Sequence, residues 1–343
     1  MLRKFQRAAV GAVLTVVAAG MAVPAVAAEK VVICALTFVS SAPLFIAADK
    51  GYYAAEGLDA ELKFFRAAQP VAVGIASGDC DFGVTGFTAG FFNLAAKGAL
   101  KVIGAQSREE PGFDFVGFIA SNQAYDAGLT SVTDLPGHSV GMTQVGSTMH
   151  YMVGMLRDKY AWADDAVALK PLQSVPNMIA AIKGGQVDAV PLPAHIVAKL
   201  VGDGDAKLIG WVHEHTPWQL GGLFTSTRNV EERRPMVEAF VRAYRKAAKD
   251  YHAAFNALDA SGKRVFGPDA EALLPTLEKY TKASPAAIYK GAPFIDPDGR
   301  LKVDQLIGQV EWMKKAGLVE ASLDPMSFID LSFIDGHYGV PGN

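Results

Sequence analysis

The chain has 343 residues, half of them hydrophobic, two cysteines and a formal net charge of −3. An acidic chain with no basic run argues against a nucleic-acid partner. Gly and Pro are spread throughout, which argues against a low-complexity chain, and the length suffices for two domains of ordinary size.

Arg3, Lys4 and Arg7 form a basic start. An apolar run from Ala8 to Val23 follows, then Pro24 and Ala25-Val26-Ala27. A charged n-region, a short h-region and an A-x-A site read as a cleaved secretory signal over residues 1–27. The run is shorter than the roughly 20 apolar residues that a membrane span needs. Cleavage there would take the net charge from −3 to −3 − 3 = −6.

Val31 to Leu36 is a β-branched apolar run and predicts a buried strand. Pro43, at the favoured first turn, opens a helix over Leu44 to Lys50. A second strand is predicted from Leu58 to Phe65, a helix from Val71 to Ala76 and a third strand from Asp81 to Thr85. Phe87 to Lys97 reads as a helix stopped by Gly98, and Val102 to Ala105 as a fourth strand. Strands alternating with helices imply parallel pairing.

The pattern restarts near residue 131. Strands are predicted at Ser139 to Thr143, Val167 to Leu172, Val187 to Pro191 and Lys207 to Val212. The helices between them are Ser147 to Tyr160, Asn177 to Lys183 and Ala194 to Val201. One more strand, Leu223 to Thr227, precedes a mostly helical tail. In that tail Met236, Val237, Phe240, Val241 and Tyr244 are spaced for one helix face, and the Arg and Lys residues read as its solvated side.

Two phrases occur twice. Thr37, Val39 and Ser41 return as Thr143, Val145 and Ser147, at an offset of 143 − 37 = 106 residues. Ile75, Gly78 and Asp81 return as Ile182, Gly185 and Asp188, at an offset of 182 − 75 = 107. Two echoes at nearly one offset suggest two halves with the same wiring.

Ala42, Pro43, Leu44, Ala47, Gly51, Tyr52, Glu56, Gly57 and Leu58 fit an A-P-L/I-x-x-A-x-x-x-G-Y/F-x-x-x-E-G-L/I signature. With "SGDCDFG" (77–83), "VTDLPGHSVGM" (132–142) and "GGQVDAV" (184–190), the chain resembles the periplasmic substrate-binding proteins of ABC importers in the nitrate, sulfonate, taurine and thiamine-pyrimidine group. The resemblance implies an α/β, two-lobed periplasmic-binding-protein fold of type II. Each lobe would be a mainly parallel sheet flanked by helices, with the ligand cleft between lobes. Mapped onto this sequence, lobe I is 28–118 plus 226–343 and lobe II is 119–225, with crossings at Phe115 to Ala120 and Leu223 to Thr227. It further implies a location in the periplasm and a partner permease with its ATPase. A monomer is expected, with no cofactor and no metal.

In open parallel sheets ligands bind beyond the carboxyl ends of strands. That rule selects Phe38, Ser40 and Ser41 after the first strand, Thr85 and Phe87 after the third, Gly146, Ser147 and Thr148 in the second half, and Leu192 after Val190. Trp218, just before the last strand, is the remaining candidate. Helix N-termini carrying Ser or Thr are ready anion sites; the alternative for Ser41, Ser147 and Thr148 is that they cap their own helices. Phe38, Phe87 and Trp218 could instead fill the core. The ligand expected is a small organic anion, a sulfonate or carboxylate with an apolar or aromatic body. The alternatives are a neutral heteroaromatic such as a thiamine-type pyrimidine, or an enzyme on the same scaffold.

The other polar features read as structural. Arg108 reads as a surface residue beside Glu109 and Glu110, with a reach into the cleft to pair with a carboxylate or sulfonate as the alternative. His213 and His215 lack a third zinc ligand and read as a solvated loop. "DPDG" (296–299) reads as a turn. Cys34 and Cys80 are read as buried free thiols, with pairing in a secreted chain as the alternative. The sequence contains no G-x-S-x-G elbow and no H-E-x-x-H, so no enzyme activity is expected.

Overall fold

The computed structural model describes residues 27–342. The signal segment read over 1–27 therefore lies, but for its last residue, outside the described residues. Among the described residues, one two-stranded ribbon pairs Ala257–Leu258 with Arg264–Val265, and the other twelve of the fourteen strands form two five-stranded sheets and a second ribbon. In chain order they are β1 (Glu29–Ala35), β2 (Leu58–Phe64), β3 (Phe82–Gly86), β4 (Leu100–Ala105), β5 (Arg108–Glu109) and β6 (Val116–Ser121). Then come β7 (Ser139–Met142), β8 (Ala168–Pro171), β9 (Ala189–Pro193), β10 (Ala206–Trp211), β11 (Trp218–Gln219) and β12 (Gly221–Ser226).

The first sheet has the order β2-β1-β3-β12-β4 and the second β10-β6-β9-β7-β8. Read from the other edge, the second is β8-β7-β9-β6-β10. The two sheets thus share one wiring. In each, the strand order is second, first, third, an antiparallel insert, fourth. The inserts are β12 and β6, each supplied by a chain that has just crossed from the other lobe. The crossings themselves are residues 106–115 and 212–220, where β5 and β11 pair as a two-stranded ribbon. The segments expected to cross are instead mostly these inserted strands, because each chain enters its new sheet immediately after the ribbon.

The second sequence echo has a structural counterpart. Asp81 Oδ2 accepts the Val32 amide of β1 at 2.8 Å, and Asp188 Oδ2 accepts the Ser139 amide of β7 at 2.7 Å. Each aspartate leads into the third strand of its lobe and pins a residue of the first, Val32 within β1 and Ser139 at the start of β7. A turn with left-handed Gly78 or Gly185 delivers it there.

The core of the first lobe packs β1 and β3 against the helix Arg234–Phe255. The apolar stripe of that helix is buried, and Phe240 stacks on Phe82 at 3.9 Å. Its basic face lies outward, with Arg234 on Glu238 and Arg242 on Glu56. Among the described residues, no helix is long and apolar enough to cross a membrane.

The cysteines are not free thiols. Cys34 and Cys80 form a disulfide with Cα atoms 6.0 Å apart. The cause is the register of β1 beside β3, which sets Cys34 opposite Gly83. The turn entering β3 therefore passes Cys80 alongside β1. Core location, taken in the sequence as a sign of a buried thiol, is what brings the two sulfurs together.

Arg108 is also not on the surface. It sits in the crossing ribbon, 8% exposed, with its guanidinium 4.1 Å from the Phe294 ring centre. It pairs with Glu110 at 2.5 Å and Asp296 at 3.7 Å. Asp296 in turn holds the expected turn, its Oδ1 accepting from the amides of Asp298 and Arg300 at 3.0 and 3.1 Å. His213 bonds Asp114 at 3.1 Å and His215 bonds the Tyr160 hydroxyl at 2.7 Å. Among the described residues, no group of three or more His, Cys, Asp or Glu could hold a metal ion.

Candidate functional site

A cavity lies between the lobes where the strand ends of both sheets meet. The first echoed phrase contributes to both of its sides. Phe38, Ser40 and Ser41 follow β1; Thr143 and Ser147 follow β7, with Thr148 opening the next helix. Thr85, from the end of β3, completes the set of expected residues that line it.

Five helices begin at its wall. They are Ala42–Asp49, Ala68–Ser77, Thr148–Tyr160, Val175–Lys183 and Ala194–Gly202, and the cavity is lined by Ser41, Ala68, Ser147, Val175 and Pro193 at their starts. Each start carries partial positive charge, although the first amides of the Val175 helix are already bonded, Val175 to the Arg66 carbonyl and Asn177 to Ser174 Oγ, and that of Ala194 to the Phe115 carbonyl. None of the lining residues is Asp, Glu, Lys, Arg, His or Cys. The cavity is therefore a hydroxyl- and amide-bearing space with an apolar remainder, biased positive by backbone alone.

The two serines differ in what they do. Ser147 caps its helix, its Oγ accepting from the His150 amide at 3.3 Å. Ser41 makes no cap bond, and its Oγ is buried without a partner. Gln106, just beyond β4, also lines the cavity with a buried, unpartnered Oε1. Buried polar atoms normally find a partner, so these two are open positions for a ligand. The cavity measures about 60 Å³. At about 10–15 Å³ per water, it holds a few waters or one compact head group.

Four expected residues are placed elsewhere. Leu192 is fully buried in the core of the second lobe. Strand β9 continues to Pro193, so side-chain alternation turns Pro191 and Pro193 to the cavity and Leu192 away. Phe87 lies beneath the helix Ala89–Ala96 and packs on Phe91 at 5.1 Å, because the chain turns inward after Gly86. Trp218 packs edge-on to Tyr151 at 5.0 Å in the interior beside the ribbon. Gly146, in the left-handed region at φ 77°, instead lets the lobes touch: its carbonyl accepts the Ala89 amide at 2.8 Å.

Sequence reasoning missed Gln106, Ala67, Ala68 and Val175. All four follow strand ends, after β4, β2 and β8. Applying the strand-end rule to every strand, rather than to the four clearest, would have found them.

Further contacts join the lobes around the cavity. The Val175 amide donates to the Arg66 carbonyl at 3.4 Å, and Gln144 donates to Gln69. Trp312, from the first lobe, packs against Gly154 of the helix Thr148–Tyr160. Gly291 abuts the backbone of His195 at the start of Ala194–Gly202. These contacts hold the two lobes against each other.

The profile of the family described as NMT1/THI5 like matches residues 39–254, more than half of the chain. A comparison with curated protein sequences gives no match. Solved structures share the fold. The alkanesulfonate-binding protein SsuA from Xanthomonas axonopodis pv. citri, bound to MOPS, is 18% identical, with a TM-score of 0.71 over 90% of this chain and 100% of that one. The periplasmic nitrate-binding protein NrtA from Synechocystis PCC 6803 is 14% identical, with a TM-score of 0.68 over 87% and 84%. The desulfurization enzyme DSZB is 14% identical, with a TM-score of 0.61 over 89% and 97%.

Proposed function

The chain belongs to the NMT1/THI5-like family, and from that premise we propose that it is the periplasmic solute-binding component of an ABC importer. It captures a small organic anion, a sulfonate or carboxylate with an apolar body, by lobe closure. It then delivers the anion to an inner-membrane permease with a cytoplasmic ATPase.

The observation that carries this reading is the convergence of five helix N-termini on a hydroxyl-lined cavity with an unpartnered hydroxyl, Ser41 Oγ, that can donate to an anion. Each favourable helix end is worth about 0.3–2 kcal/mol to an anion. With several hydrogen bonds added, that approaches the roughly 8 kcal/mol of micromolar binding. The apolar walls, Leu36, Phe115, Met149 and Met152 among them, suit an organic body better than a bare inorganic ion. The disulfide agrees with an oxidising compartment, and the A-x-A site with export.

One observation favours a second ligand class. The lining carries no cationic side chain, which a neutral heteroaromatic such as a thiamine-type pyrimidine also fits. The enzyme alternative draws least support: the lining offers hydroxyls but no base to activate them.

A thermal-shift screen of sulfonates, aromatic carboxylates and pyrimidines tests the proposal. A ligand at 100 times its Kd stabilises by about 2.7 kcal/mol. Stabilisation by anions supports the reading; stabilisation by neutral heterocycles alone replaces it with the second; turnover of any of them replaces carrier with enzyme.

A further inference from the structure

Beside the inner cavity lies a second, much larger chamber of about 770 Å³. Phe38 and Val175 line both, so the two spaces are neighbours. Their chemistry differs. The inner one holds no charged side chain, whereas the outer one is lined by five cations.

Two of those cations are neutralised: Lys183 pairs with Asp205 at 2.7 Å and Lys199 with Asp203 at 2.5 Å. These aspartates are the only acids of the lining. Arg66, Lys282 and Lys290 have no acidic partner among the described residues. An acidic chain thus carries an excess of positive charge in the lining of its outer chamber. The outer lining also holds an apolar strip of Phe65, Ile179 and Ile196.

At the junction sits His195, 5% exposed, with its ring 5.8 Å from Phe38. The ring lines the outer chamber and takes no hydrogen-bond partner among the described residues. A buried imidazole left open on one side is a position for a ligand group.

We propose that the outer chamber is a second anion subsite, so that the natural ligand carries a negative group at each end of an apolar body. The head occupies the inner cavity. The body passes Phe38 and His195 along the apolar strip. The far charge meets Arg66, Lys282 and Lys290. This inference rests on the anion reading above and specifies its ligand as a dianion. Exposed cations also attract such a ligand over distance and raise its on-rate.

The test is calorimetric titration with a homologous series of alkanesulfonates, each with and without a terminal carboxylate. The proteins compared are the unaltered one and the combined Arg66→Gln, Lys282→Gln, Lys290→Gln variant. The best dianion should bind about tenfold tighter than its monoanion, from a few ion pairs of modest individual strength. That advantage should shrink at high salt and vanish in the variant, while monoanion affinity stays unchanged. Equal binding of mono- and dianions overturns the second subsite and leaves the anion reading standing. A dianion preference that persists in the variant overturns its assignment to these cations. Failure of the whole series, with neutral heterocycles binding, overturns both readings. Circular dichroism of the variant, whose replaced side chains are exposed, checks that it is folded.

Discussion

Gly154 and Trp312 meet across the two lobes, and any Cβ at residue 154 would fall inside the indole ring. Gly154 belongs to the helix that opens with Thr148 at the cavity, and Trp312 to the C-terminal helix Val303–Lys315. The ring is held by His150 at 5.4 Å and Tyr151 at 5.3 Å, so it cannot simply swing aside. Gly291 forms a second contact of this kind, against the backbone nitrogen of His195. The contact between the lobes therefore depends on two glycines that do not themselves line either cavity.

Gly291→Ala should weaken ligand binding by about tenfold or more without changing any lining residue, since backbone cannot yield to a new Cβ as a side chain can. Gly154→Ala should act in the same direction and less strongly, through displacement of Trp312. Calorimetry measures the affinity, and small-angle scattering should show the variants more open at saturating ligand. Unchanged affinity in both would mean that closure does not use these contacts.

Ser41→Ala separates a ligand contact from a helix cap. Its Oγ is buried and unpartnered, so the unliganded protein should lose nothing and could gain stability, whereas ligand affinity should fall by about 1–3 kcal/mol. Ser147→Ala should do the reverse: it removes a cap and costs about 0.5–2 kcal/mol of stability. Chemical denaturation and titration of both variants read the two effects independently. Equal stability losses would make both serines caps.

Removal of the disulfide should be costly. The bridge spans 46 residues of sequence, for which loop-closure entropy gives about 4 kcal/mol. Cys34→Ala with Cys80→Ala, or mild reduction, should lower the urea midpoint accordingly. A midpoint indifferent to reductant would contradict the pairing.

Acid should unlock His195. Burial holds its imidazole down to about 4, against an ordinary value near 6.5. A depressed folded pKa means that the stability contributed by the neutral ring is complete above about pH 6.5 and is lost as the pH falls toward 4. The loss approaches about 3 kcal/mol. Glu109 works in the opposite sense, because burial raises its carboxyl well above the usual range even though the Val116 amide donates to it. The effect of His195 is therefore read as a difference: His195→Gln should lose less stability than the unaltered protein between pH 7 and pH 4.5. Identical losses would sink the assignment.

Much of this arrangement was legible in the sequence because period and punctuation report local structure directly. The strands and helices, the restart near residue 131 and the two echoed phrases follow from apolar runs, glycines and one repeated offset. The echoes even foretold function in the fold, since Asp81 and Asp188 do the same work. What was not legible depended on neighbours in space. The disulfide needed the parallel register of β1 and β3. The inward path of Arg108 needed Phe294 and Asp296, nearly 190 residues downstream. Leu192 turned away because β9 runs to Pro193, past an internal Pro191 that reads as a strand end. Gln106 was overlooked for want of any motif, although its place after β4 gave the same signal that selected Ser41.

The account stands most directly on where a ligand's charged head goes. A crystal structure of the protein with a bound alkanesulfonate should show the sulfonate in the inner cavity, against the helix starts at Ser41, Ala68 and Ser147 and within hydrogen-bond distance of Ser41 Oγ. A sulfonate found only in the outer chamber, or an inner cavity that accepts a neutral ring and refuses the anion, would contradict it.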